Sequence, residues 1–126
     1  MPNSVANSSF EQLRDEKYVS LETFKKNGQG VKTPVWFVLH NGALYVYTEA
    51  DSWKVKRIRN NSRVRVAKCD MRGNLKGEFM DASASLIEGE ERTTADKLLD
   101  QKYFFKKIFN FLTKINRHKR AMIKIS

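Results

Sequence analysis

Ser52, Lys54 and Arg57 fall in the segment Thr48-Glu49-Ala50-Asp51-Ser52-Trp53-Lys54-Val55-Lys56-Arg57, where a strand-like run ends and a helix-like run begins. The first turn of a helix leaves backbone N–H groups without intrahelical acceptors and carries the positive end of the helix dipole. Both favour a phosphate there. Ser52 adds a hydroxyl and Lys54 a mobile cation, while Arg57 lies one turn on, over the same face as Lys54. Basic residues near a helix start oppose the dipole, a cost that a seated anion removes. The competing reading of the same residues is a solvated basic face.

Thr33-Pro34-Val35-Trp36 is a second candidate. Proline in a strand removes a ladder donor, so Pro34 implies an edge, a bulge or a gap in pairing, where backbone groups are open to a ligand. Trp36 can stack on a planar ring or simply pack in the core. Elsewhere, side-chain chemistry is sparse. His40 sits beside a turn, His118 lies in a basic tail, and Cys69 ends a strand-like run as a thiol expected to be buried and inert. No Gly-x-Ser-x-Gly, His-Glu-x-x-His or Walker-type loop is present. If the chain is an enzyme, a bound cofactor must bring the reactive atom.

The elements that hold these residues are legible in outline. Ser8-Ser9-Phe10-Glu11 fits a capping box, predicting a short helix from Ser9 to about Lys17. KYVSLETF (17–24) alternates like a half-buried strand and KNGQG (26–30) turns the chain. VKTPVWFVLH (31–40) and ALYVYT (43–48) flank Asn41-Gly42, the dipeptide of a tight hairpin. Asp51 or Ser52 caps a two-turn helix closed by Asn60-Asn61, and SRVRVAKC (62–69) follows with Val64 and Val66 on one face and Arg63 and Arg65 on the other. DMRGN (70–74) turns, and residues 75–90 read as one long strand. Thr93 or Thr94 caps a helical region whose apolar positions, from Leu98 and Leu99 through Phe104, Phe105, Ile108 and Phe111 to Ile115, keep helical spacing. Its other side carries Lys106, Lys107, Lys114 and Arg117, so packing competes with a membrane-surface or calmodulin-target helix. RAMIKIS (120–126) adds a last strand. Mostly antiparallel strands in so small a chain predict a barrel or strongly coiled sheet.

The 126 residues, 40% of them hydrophobic, suffice for one domain with a single core. No run reaches the length of a membrane span, and the first residues lack the pattern of a secretory signal, so a cytoplasmic protein is expected. One cysteine and two histidines assemble neither an internal disulfide nor a Cys/His zinc cluster. The net charge of +10 is concentrated: residues 54–68 hold seven basic side chains and no acid, residues 102–126 hold eight and no acid, and the remainder is acidic on balance. Such a field attracts nucleic acid, anionic lipid or a phosphorylated small molecule.

Taken in order, T-P-V-W, L-Y-V-x-T, S-x-K-V-K-R-I-R-N-N and V-x-V-A-x-C-D-x-R-G over about residues 17–87 resemble the pyridoxamine 5'-phosphate oxidase-like (PPOX class) split β-barrel family. The resemblance is strongest to its short branch that uses the deazaflavin coenzyme F-420. It implies a mainly β fold with helices (α+β), an FMN-binding-protein-like split β-barrel of about six antiparallel strands plus a C-terminal helix. Residues 1–126 would form a single flavin- or deazaflavin-binding domain, a homodimer with the cofactor at the interface. Carried over position by position, Thr33, Pro34, Val35 and Trp36 would line the ring and ribityl portion. Tyr47 and Thr48 would follow the ribityl chain, and Ser52 and Lys54 would hold the phosphate with Arg57 nearby. Trp53 stands where relatives often carry a small residue or arginine, and would cover the cofactor or simply pack. The expected function is oxidoreduction with coenzyme F-420 or FMN, hydride passing to a small organic acceptor. The basic segment 54–68 fits the longer deazaflavin anion better. No metal is expected, and no residue stands out as a general acid. The chain stops short of the segment with which true pyridoxamine-phosphate oxidases grip their substrate, which argues against vitamin B6 oxidation. A nucleic-acid-binding β-barrel, with Trp36, Tyr45 and Tyr47 stacking bases, and a non-catalytic flavin carrier are the alternatives.

Overall fold

The computed structural model describes residues 10–103 and 120–126. Seven strands, β1 (Tyr18–Phe24), β2 (Gly30–Val35), β3 (Val38–His40), β4 (Ala43–Glu49), β5 (Arg63–Cys69), β6 (Met80–Ile87) and β7 (Arg120–Ile125), form one antiparallel sheet in the order β2-β1-β5-β6-β7-β4-β3. Helix α1 (Trp53–Asn60) links β4 to β5, and α2 (Gly89–Lys102) follows β6.

Consecutive strands β2 and β3 lie at opposite edges of this sheet, joined only by Trp36-Phe37. The sheet therefore coils into a barrel split at that dipeptide. The expected strand 31–40 divides there, which gives seven strands where about six were expected. Pro34 belongs to an edge strand, pairing with Ser20 of β1 on one side, as the missing N–H requires.

Alternation along the strands fills the interior. Val19 and Leu21 of β1, Leu44 and Val46 of β4, Val64 and Val66 of β5, and Ile123 and Ile125 of β7 are fully buried in one cluster. At about 1.5–3 kcal/mol for each buried aliphatic side chain, this cluster is the main source of stability. Phe10 and Leu13 join it from a short turn region held by backbone bonds from Leu13 N to Phe10 O and from Glu16 N to Leu13 O. Ile58 of α1 reaches the same cluster.

A second cluster lies outside the barrel wall. Val38, Tyr45 and Met122 meet Ala95, Leu99 and Tyr103, so α2 packs on the β3–β4–β7 side. Tyr45 donates to Glu91 at 2.7 Å, and Lys124 pairs with the same carboxylate at 2.7 Å, pinning the helix start to the sheet.

The hairpin at Asn41-Gly42 has φ of 51° and 78° at its two central residues, the left-handed pair a two-residue turn requires. Two expectations shift. The long strand 75–90 shortens to β6 plus an isolated bridge between Leu75 and Cys69. Gly77 approaches Lys68 so closely that a Cβ would lie 3.0 Å from that lysine's stem. Helix α2 begins at Gly89 rather than at Thr93 or Thr94, because Thr93 returns its hydroxyl to the Gly89 carbonyl at 3.2 Å instead of capping. Glu90 and Glu91 in the first turn suit the helix dipole. Ser9, Phe104 to Ile115, Lys106, Lys107, Lys114, Arg117 and His118 lie outside the described residues.

Candidate functional site

A cavity of about 520 Å³ opens over the split, between the end of β2, the end of β4 and the outer helix α2. The volume suits an organic cofactor. Pro34, Val35 and Trp36 form one wall, Tyr47, Thr48 and Glu49 another, and Ser52 and Lys54 stand at the corner where β4 passes into α1. Seven of these eight are candidates by sequence, from two segments apart in the chain, and the barrel brings them to one space.

The corner forms because Ser52 caps α1. Its side chain accepts from Val55 N at 3.4 Å, and its hydroxyl lies 3.2 Å from that of Thr48. No acid occupies the first turn of α1. Lys54 is half-buried; burial first, and Arg57 second, hold its amine below the ordinary lysine range, with Glu49 acting in the opposite direction. A cation desolvated beside a like charge and a positive helix end suits an anion.

Three other named residues stand apart from the cavity. Thr33 does not line it. Trp53 is 69% exposed, its ring under the Lys56 amine at 4.4 Å. Arg57 turns back towards Thr23 of β1, at 3.4 Å. Two further cations of the basic segment also face away. Arg63 pairs with Asp81 at 3.4 Å and lies over Phe24, and Arg65 pairs with Glu22 at 3.1 Å and lies over Phe79. Of the seven basic residues in 54–68, Lys54 is the one that lines the cavity.

Tyr103 shapes the cavity and was missed in the sequence. Its ring stacks on Trp36 at 4.6 Å with planes 8° apart. Its hydroxyl accepts from Phe37 N at 3.1 Å and lies within donating distance of the carbonyls of Lys17, 2.8 Å, and Phe37, 2.9 Å. One side chain thus satisfies the backbone where strand pairing fails. Burial pushes its phenol well above the usual tyrosine range. The signal was present: Ala95, Leu99 and Tyr103 recur every four residues on one helix face.

Leu99 lines the cavity beside Tyr103, and Met71, Arg120 and Tyr18, which carried no such signal, complete the lining. Met71 is 66% exposed and sits on the turn 70–74. The Asp70 carboxylate braces that turn by accepting from Asn74 Nδ2 at 3.0 Å, Asn74 N at 2.9 Å and Arg72 N at 2.9 Å, bonds that hold it below the usual carboxylate range. Gly73, at φ +90°, brings the turn against Pro34. The Tyr47 hydroxyl is buried and has no hydrogen-bond partner among the described residues.

Other candidates for chemistry stay outside the cavity. His40 tilts against Tyr45 at 6.4 Å. Cys69 is buried, with burial raising its thiol. Among the described residues no group of three His, Cys, Asp or Glu could hold a metal, and no helix is long and apolar enough to cross a membrane.

A coiled antiparallel sheet split at its edges, with a cavity over the split, defines the class: a split β-barrel of the pyridoxamine-phosphate-oxidase type. The model of the pyridoxamine 5'-phosphate oxidase family matches residues 9–126, and the chain belongs to that family. No curated protein matches significantly. Among solved structures, a conserved hypothetical protein from Mycobacterium tuberculosis is similar at TM-score 0.70 and 20% identity, over 94% of this chain and 78% of that one. The heme storage protein HutZ from Vibrio cholerae is similar at TM-score 0.70 and 15% identity, over 96% and 89%. A heme binding protein from Mycobacterium smegmatis is similar at TM-score 0.66 and 13% identity, over 97% and 48%. At these identities the likeness is one of fold.

Proposed function

We propose that the protein is an oxidoreductase whose cavity takes a phosphorylated flavin-type cofactor, coenzyme F-420 or FMN, and exchanges hydride with a small organic acceptor. The observation that carries this reading is the half-buried Lys54 amine at the acid-free start of α1, beside the Ser52 hydroxyl and inside a cavity of about 520 Å³. The residues fit the group. Lys54 and Ser52 suit a phosphate, and the Trp36–Tyr103 stack suits a flat ring.

In this reading Ser52 and Lys54 hold the phosphate, Pro34, Val35 and Trp36 line the ring, and Tyr47 and Thr48 follow the ribityl chain. Thr33, Trp53 and Arg57 take no part. When bound, the cofactor supplies a ring position that gives or takes hydride. The chain's share is orientation and the exclusion of water: the apolar faces of Val35, Trp36, Leu99 and Tyr103 keep the reacting space dry. Completion of the site by a second copy of the chain is part of the proposal. Exposed Met71 in the cavity lining supports it, and sedimentation tests it.

Two of the solved structures of similar fold are heme proteins. Here the described cavity lining offers neither histidine nor cysteine to an iron, and Met71 is its one soft ligand type. The test is titration of the protein with FMN, coenzyme F-420 and hemin side by side. Saturable binding of a flavin-type cofactor that weakens in Lys54→Ala supports the reading. Binding of hemin with affinity for neither flavin type overturns it.

A further inference from the structure

Helix α1 serves more than the cavity. Lys54 and the cap Ser52 line the cavity, and Val55 and Ile58 are buried against the barrel. A third face looks outward. Trp53, Lys56 and Asn60 fall along one stripe at helical spacing, and all are exposed, as is Arg59 beside them. We propose that this outer face of α1, together with the neighbouring β1–β2 turn, binds single-stranded nucleic acid. The surface is separate from the cofactor cavity and does not depend on that reading.

The barrel brings a second basic segment to this face. Arg57 Nη1 of α1 donates to Thr23 Oγ1 at 3.4 Å, and the Arg63 guanidinium lies 4.6 Å from the centre of the Phe24 ring. These contacts hold α1 and the start of β5 against the end of β1. Lys25 and Lys26 follow immediately and are exposed. Their turn is closed by bonds from Lys25 N to Gln29 O and from Gly28 N to Lys25 O, each 2.9 Å.

Lys25, Lys26, Lys56 and Arg59 have no carboxylate partner among the described residues. Residues 1–9 and 104–119 contain no Asp or Glu, so they supply none. The carboxylates of the adjoining sheet, Glu22 and Asp81, are held by Arg65 and Arg63. Asp51 precedes α1, at the end of the helix away from Arg59. Four cations left open on one surface draw a polyanion.

The other side chains of the face favour a nucleic acid over a lipid surface. Its large apolar component is a single indole, because exposed Met71 and Leu75 belong to the segment that follows β5. Lipid binding by a surface helix scales with buried apolar area, and one ring supplies little. The Lys56 amine lies 4.4 Å from the centre of the Trp53 ring, yet the residue stays 69% exposed. Such a ring is a stacking platform for a base, and an unpaired strand has bases free to use it. Exposed Asn60 and Gln29 add amides that donate to and accept from base edges. Two other aromatic residues are engaged within the fold, Trp36 on Tyr103 and Tyr45 with Glu91.

The test is fluorescence anisotropy of a labelled single-stranded oligouridine titrated with the full chain. Wild type is compared with Lys56→Gln/Arg59→Gln, Trp53→Ala and a charge-matched control, Lys17→Gln/Lys97→Gln, with melts to establish folding. Lys17 lies at the opposite end of β1 from Lys25, and Lys97 lies on α2. Wild-type affinity is expected to fall with salt at a log–log slope of about −3, roughly −0.7 for each of four phosphates. The double variant on α1 should bind at least about tenfold more weakly, and Trp53→Ala about tenfold, as for one lost base stack. Quenching of indole fluorescence by the oligonucleotide should disappear in Trp53→Ala although Trp36 remains. The control should stay within about twofold of wild type. No binding at low salt, or an equal loss in the control, overturns the proposal. Binding to phosphatidylserine vesicles with none to the oligonucleotide overturns it as well.

Discussion

Two regions of the molecule carry the same kind of side chain to opposite ends. On the outer sheet face, Arg63 and Arg65 lie over Phe24 and Phe79 and meet the carboxylates of Asp81 and Glu22. At the β4–α1 corner, Lys54 is half-buried, has no salt-bridge partner among the described residues and stands beside Arg57. These cations belong to one run of basic sequence. Those on the strand are neutralised within the fold and serve stability, while the one at the helix start is, in the function proposed above, the cation that meets the ligand.

Exchanging the roles by mutation tests this contrast. The largest effect is expected from Lys54→Ala, which should weaken binding of a phosphorylated cofactor by about 1.5–3 kcal/mol with the melting temperature essentially unchanged. A titration paired with a melt reads both. Arg65→Ala should do the reverse. It leaves the buried Glu22 carboxylate without its partner, and a loss of about 2 kcal/mol in folding stability is expected, below the range for a fully buried pair because the arginine is 36% exposed. Cofactor affinity should not change, and denaturant unfolding with the same titration checks it.

Lys102 sharpens the contrast from a third position. Its amine is buried 3.6 Å from the centre of the Phe37 ring, without a hydrogen-bond partner among the described residues, and burial lowers it from 10.5 to about 8. The unfolded chain binds this proton more tightly, so stability rises with pH from about 8 towards 10.5. Lys102→Met removes that rise and should raise the melting temperature at neutral pH by a few degrees. Melts across this pH range read the difference between the two proteins.

Lys54 has the analogous sign for binding. Its amine is held below the ordinary lysine range, so affinity for an anion should fall with rising pH earlier than an exposed lysine would dictate. Cofactor titrations at increasing pH measure the midpoint, and Lys54→Arg should move it upward. The smallest effect is expected from Lys56→Ala. That amine covers the exposed Trp53 ring outside the cavity, and both affinity and stability should change by less than about 0.5 kcal/mol.

Much of the cavity is legible in the sequence. Pro34 marked an edge because its missing donor is a property of the residue, and Ser52 marked a helix start because its hydroxyl replaces a missing acceptor. Tyr103 was passed over although it shares a helix face with Ala95 and Leu99. Its role depends on a strand break 66 residues away in the chain. Arg57 was placed with Lys54 by helical spacing, yet its long side chain turns to Thr23 of β1, a neighbour that spacing along one helix does not reveal.

The sequence by itself determined the alternation that buries Val64 and Val66, the Asn41-Gly42 hairpin, and the cap that makes the corner at Ser52, because each depends on contacts within a few residues. Only the tertiary structure decided which cations face the cavity. A charge is neutralised or kept according to what lies across a sheet or against a distant strand end. Glu22 meets Arg65 and Arg120 meets Tyr47 only once the barrel has closed on its split.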